Sequence, residues 1–296
     1  AAEESGRILG ADHPDTLRSR NNLASAYQDA GRLNDAIPLF EETLKAQEQL
    51  LGPTHPSTLR ARKNLALAYR EVGRLNKAIP LLEETLTTRE ELLGPDHPDT
   101  LSSRNNLAGA YRYAGRLDDA IPLHEKTLET RTQLLGPNHP NTLVSRNNLA
   151  LAYQDASRLN DAIPLFEETL TALTQILGPN HPHTLHVRNN LALAYQEVGR
   201  LNDAIPLFEE TLKARTRILG PNHPDTLITR NNLAGAYRYA GRLNDAIPLH
   251  EKTLEALTQL LGPNHPDTLA SRRYLDKAYA AAGKPFRSEE QPGTSP

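Results

Sequence analysis

The sequence predicts an all-α solenoid of antiparallel helix pairs. Three observations point there. A Leu-Gly marker recurs every 42 residues, with its glycine at Gly10, Gly52, Gly94, Gly136, Gly178, Gly220 and Gly262. A His-Pro pair begins three residues after each of these glycines, at His13, His55, His97, His139, His181, His223 and His265. Between the markers, apolar residues fall at helical spacing, in units too short to own a separate core; units of this kind stack on one another.

Within the unit Leu9 to Leu50, Pro14 suits the first turn of a helix and Asp15 favours its positive end. Leu23, Ala24, Tyr27 and Ala30 then line one face at spacings of three and four. Gly31 takes the left-handed C-terminal cap, which sets helix A at Pro14 to about Ala30. Asn34 is the expected cap of helix B, whose stripe is Ala36, Ile37, Phe40, Leu44 and Leu51 and whose end is Gly52. Pro38, repeated at Pro80, Pro122, Pro164, Pro206 and Pro248, is expected in the first turn of each B helix.

The expected array is one solenoid over 1–283: a partial helix B over 1–9, six A/B units, and a capping helix over 266–282, about 14 helices in all. In the last helix Arg273-Tyr274-Leu275-Asp276 replaces Asn-Asn-Leu-Ala, the polar outer face an array needs at its end. Residues 284–296, rich in Pro, Ser, Glu and Gly, are expected to be disordered. A longer period lies over the first, because Asn105–Glu129 and Asn231–Glu255 differ only at Asp118 against Asn244. A three-unit block has been copied once.

Composition narrows the function. With 33 basic and 36 acidic residues, the charge argues against nucleic acid as a partner. Without cysteine, disulfides and thiolate metal sites are excluded. No apolar run approaches the roughly 20 residues of a membrane span. No signal peptide is visible, a cytoplasmic location is expected, and the lack of methionine marks the chain as a piece of a longer protein. Phosphate loops, nucleophile elbows, metal-protease helices and paired carboxylates do not occur, so neither enzyme activity nor a cofactor is expected. His181, His183 and His186 cluster without an acidic third ligand, and no metal site is assigned.

The pattern N-L-A-x-x-Y…G-R-L…A-I, with Ala24, Tyr27, Gly31 and Ala36 at their spacings, resembles the tetratricopeptide repeat. The 42-residue length and the L-G-P-x-H-P link resemble its longer form in kinesin light chains and bacterial signalling proteins. The resemblance implies a right-handed superhelix with A helices lining the concave surface. In the bacterial proteins such arrays often follow a nucleotide-driven switch. The chain departs from the family pattern where Arg20, Arg62, Arg104, Arg146, Arg188 and Arg230 replace a large apolar residue, and where Ser157 replaces a capping glycine. The two-lysine carboxylate clamp of chaperone-binding members is not reproduced.

By the same resemblance, the first residue of each Asn pair faces the groove: Asn21, Lys63, Asn105, Asn147, Asn189 and Asn231. Such amides can hold an extended peptide by its backbone, or serve the structure alone; the second Asn of each pair suits tying one repeat to the next. Leu67, Leu151 and Leu193 supply apolar patches one turn on, and Arg70, Arg112 and Arg238 suit acidic side chains. Glutamates of helix B, among them Glu41, Glu83 and Glu167, are expected on an acidic outer face. Gly109 with Tyr113, and Gly235 with Tyr239, form either small pockets or packing variants, accompanied by His124 and His250 at Phe40-type positions. The expected function is a scaffold for an extended, acidic peptide. The alternatives are a spacer that self-associates end to end and a sensor arm of a larger signalling protein.

Overall fold

The computed structural model describes Gly10 and residues 13–283. The expected partial helix over 1–9 and the tail over 284–296 lie outside the described residues. Thirteen helices are present among the described residues. The A helices are α1 (Pro14–Asp29), α3 (Pro56–Glu71), α5 (Pro98–Tyr113), α7 (Pro140–Asp155), α9 (Pro182–Glu197), α11 (Pro224–Tyr239) and α13 (Pro266–Ala281). The B helices are α2 (Leu33–Leu51), α4 (Leu75–Leu93), α6 (Leu117–Leu135), α8 (Leu159–Leu177), α10 (Leu201–Leu219) and α12 (Leu243–Leu261). The chain forms two compact units, one ending at Ser157 and the other starting at Arg158. In each, consecutive helices pack on one another along the sequence.

Each A helix starts the same way. Pro14 needs no hydrogen bond at the first position, and His13 Nδ1 accepts from the Asp15 amide at 3.2 Å. The same histidine cap recurs at each A helix in turn, to His265 at α13. The helix ends where the Arg32 amide reaches the Tyr27 carbonyl and the Gly31 amide reaches the Gln28 carbonyl, both at 2.8 Å.

Helix B starts one residue before the expected cap. Arg32 is the cap residue and contributes no side-chain bond to the backbone, while Asn34 lies inside the helix. The arginine acts differently: its guanidinium lies 4.4 Å over the Tyr27 ring, and its Nε donates to Asp35 at 2.8 Å. This clasp outcompetes Asn34 because it binds the end of helix A to the start of helix B. Pro38 accordingly falls in the second turn, not the first, and removes the bond to the Asn34 carbonyl. Gly52 closes α2 at φ 87° and ψ 163°, a conformation open essentially to glycine alone.

The core runs from one repeat into the next. Ala24, Ala36, Ile37, Phe40 and Leu44 of the first pair share a cluster with Ala61, Leu65, Ala68, Tyr69 and Ala78 of the second. Alanines with no exposed surface allow close helix approach, and the leucines and phenylalanine supply most of the apolar area. Three of the unexpected arginines, Arg62, Arg104 and Arg188, are also buried. Arg62 is 2 % exposed and bridges Glu48 at 2.7 Å and Glu84 at 2.9 Å; Arg104 bridges Glu90 at 2.8 Å. Their long stems replace the usual apolar residue, and the glutamates keep the buried charge paired.

Ser157 occupies the left-handed position of the α7 C-terminus at φ 57°, where other units have glycine. A side chain there costs about 1 kcal/mol. Ser157→Gly is therefore expected to raise the unfolding free energy by about 0.5–1 kcal/mol in urea denaturation, and Gly31→Ala to lower it by a similar amount.

Candidate functional site

The A-helix positions singled out in the sequence fall into three rows. In the first, Asn21, Asn147 and Asn189 are buried, and Lys63, Asn105 and Asn231 are half-buried. Three of these amides have an asparagine partner: Asn64 Nδ2 donates to Asn21 Oδ1 at 3.4 Å, Asn148 to Asn105 at 3.0 Å and Asn232 to Asn189 at 3.4 Å. The second asparagine of one repeat therefore ties to the first asparagine of the repeat before. In the second row, Leu67, Leu151 and Leu193 are half-buried.

The third row differs from unit to unit. Gln28 Nε2 donates to Glu71 at 2.7 Å, and Arg112 pairs with Asp155 at 2.7 Å. The acid comes from the last turn of the next A helix. At two repeats that acid is replaced by Tyr113 or Tyr239, each 61 % exposed. Arg70 consequently lies 5.3 Å over the Tyr113 ring. Tyr239 takes the acid's place in register with Gln196, and Arg238, with Ala281 at that position of the next A helix, lies 4.3 Å over the ring of its own neighbour Tyr239. Neither guanidinium has an acidic partner among the described residues. The dent at Gly109 is partly filled, because a Cβ there would stand 3.5 Å from the Arg70 guanidinium; at Gly235 the same space is open.

The glutamates expected on an acidic outer face are committed to the fold. Glu41 accepts the Tyr69 hydroxyl, and Glu83, Glu167 and Glu209 accept those of Tyr111, Tyr195 and Tyr237 at 2.5 Å. Burial, and then the carboxylate bond, pushes each of these four phenols up to about 12. Sequence spacing did not reveal this tie, which joins residues 28 apart on neighbouring repeats.

A second tie was also missed. Arg89 Nη1 donates to Ser103 Oγ at 2.8 Å and to the Asp99 carbonyl at 3.0 Å. Arg131 does the same with Ser145 and the Asn141 carbonyl, and Arg215 with Thr229 and the Asp225 carbonyl. Where the arginine position holds Leu173, the hydroxyl position holds Val187. That exchange is visible once the repeats are aligned with each other.

His124 and His250 are each 1 % exposed, at positions held by buried Phe40, Phe166 and Phe208 in other units. His250 Nδ1 meets Asn231 Oδ1 at 2.9 Å, while both ring nitrogens of His124 lack a partner. Burial, with Arg112 or Arg238 nearby, pushes both imidazoles down to about 4. His181 and His183 stack at 5.3 Å, and no three metal-ligating side chains converge among the described residues. No helix among them is long and apolar enough to cross a membrane.

Between pH 6.5 and 4 the unfolded chain binds protons that the buried histidines refuse, so stability falls as pH falls through this window. Each histidine contributes on the order of 3 kcal/mol to that loss. His124→Phe is expected to flatten the pH dependence of thermal unfolding and to add about 1–2 kcal/mol at pH 7.

The sequence pattern described as "Tetratricopeptide repeat" matches over overlapping segments from 1–49 to 225–288. Among solved structures, the nearly identical TPR-like repeats described for Podosopora anserina under the name kinesin light chain are 31% identical. They cover 70% of this chain and 98% of theirs, with a TM-score of 0.60. BtubC (BKLC) of P. vanneervenii is 22% identical over 79% of this chain and 94% of its own, with a TM-score of 0.63. A signal transduction ATPase with a tetratricopeptide repeat sensor, from Pyrococcus horikoshii, is 16% identical over 92% of this chain and 40% of its own, with a TM-score of 0.62. No curated protein matches the chain in sequence.

Proposed function

The chain belongs to the tetratricopeptide repeat family, and from that premise we propose that it is a non-catalytic scaffold whose A-helix faces bind an extended, acidic peptide. Repeats of this family generally mediate protein–protein interaction. The observation that carries the finer reading is the pair of guanidiniums left without an acid. Arg70 lies against exposed Tyr113 where Arg112 receives Asp155, and Arg238 has Ala281 at that position of the next A helix. A carboxylate from a partner completes at Arg70 the pairing that Asp155 completes at Arg112.

Around these arginines the surface suits an extended chain. Leu67 lies one turn from Arg70, Gly235 leaves room beside Tyr239, and half-buried Lys63 adds donors. The buried amides Asn21, Asn147 and Asn189, and the bonded Asn105, support the face more than they offer it to a ligand.

Peptide-display selection against the full chain is expected to enrich acidic sequences. Arg70→Glu with Arg238→Glu is expected to weaken the selected peptides about tenfold or more while thermal unfolding stays unchanged. Enrichment of uncharged peptides, or equal binding by the double variant, overturns the acidic-peptide reading.

A further inference from the structure

At the last repeat interface the arginine tie is broken on one side only. Leu257 of α12 stands at the position of Arg89, Arg131 and Arg215, yet α13 keeps the hydroxyl residue Ser271 and, as beside Arg89 and Arg215, the acidic residue Asp267. Where the fourth repeat unit holds a leucine at this position, Leu173, the facing position is apolar Val187. Ser271 is 2 % exposed, and its Oγ is buried without a hydrogen-bond partner. A buried hydroxyl in that state costs free energy that a donor recovers.

The space an arginine would fill is open. A cavity of about 460 Å³ lies between α11, α12 and α13, walled by Leu227, Leu257 and Ala270, with Asp267, Ser271 and Tyr274 also on its lining. That size falls within the range of about 300–1,000 Å³ typical of ligand sites. Ala270 widens it, since the equivalent residue one repeat earlier is Ile228. Ile228, Leu260 and Tyr274 are among its lining residues and are themselves 43–53 % exposed. The Asp267 carboxylate faces solvent and adds negative charge.

We propose that this cavity is a binding site for an arginine side chain of a partner polypeptide, flanked in that partner by apolar residues. The guanidinium donates to Ser271 Oγ and to the Asp267 carbonyl, as Arg215 donates to Thr229 and the Asp225 carbonyl one repeat earlier. The aliphatic stem packs on Leu227 and Leu257. A neutral apolar side chain fills the walls but leaves Ser271 unsatisfied. The site does not rest on the A-helix-face reading, whose cations select the opposite charge.

The test is titration of the full chain with the capped peptide Ac-Ala-Leu-Arg-Leu-Ala-NH2 and with its citrulline counterpart, followed by NMR and calorimetry. Saturable shifts are expected at Ser271, Leu257 and Tyr274, with the citrulline peptide at least about tenfold weaker. Ser271→Ala is expected to weaken the arginine peptide about tenfold. Leu257→Arg is expected to abolish binding and to raise the unfolding midpoint, because it restores the internal tie. Ala270→Ile, which narrows the cavity without adding charge, is a second block and is expected to weaken the peptide too. Absence of binding, equal binding of the citrulline peptide, or unchanged binding by both blocking variants overturns the proposal.

Discussion

Everything in this chain depends on the inability of one helix pair to bury its own apolar face. The cluster around Phe40 draws half its members from the following repeat, and the next cluster draws Ala66 and Ile79 together with Leu107 and Ala120. Alanines with no exposed surface hold the helices close enough for dispersion contacts to extend across each junction. A repeat separated from its neighbours would expose this surface, so stability is shared between adjacent repeats.

Close stacking then forces the polar groups into pairs. Tyrosine hydroxyls find glutamates, asparagines find asparagines, and arginines find hydroxyls and carbonyls, each across a repeat junction. Part of the formal charge that could recruit a partner is consumed in this way. Groups such as Arg112, whose type and position suit an acidic ligand, are occupied by the chain itself. Where a repeat departs from its neighbours, a polar group is released: tyrosine in place of an acid frees Arg70, and leucine in place of arginine orphans Ser271. Unpaired groups such as these therefore sit at exceptions to the period.

Some exceptions carry a cost without offering a surface. Ser157 holds a backbone conformation that glycine takes freely, and His124 is packed into a phenylalanine site with neither nitrogen satisfied. His124 is closed off from a macromolecular partner by burial.

Helix order, the His-Pro starts, the glycine stops and the burial of Phe40-type residues were legible from local chemistry, because each depends on residues within one or two turns. The family followed from the same spacings. What the sequence left open is the use of each polar side chain. Asn34 has the chemistry of a cap, yet Arg32 starts the helix because stacking on Tyr27 joins two helices at once. Glu83 has the look of a solvated face, yet it accepts Tyr111 from the next repeat. The sequence by itself determined the repeating unit, since hydrophobic period and turn residues act locally. Only the tertiary structure decided which cations and hydroxyls remain free, since a charge is neutralised by whatever lies within a few ångströms in space, and those neighbours are 10 to 43 residues away along the chain.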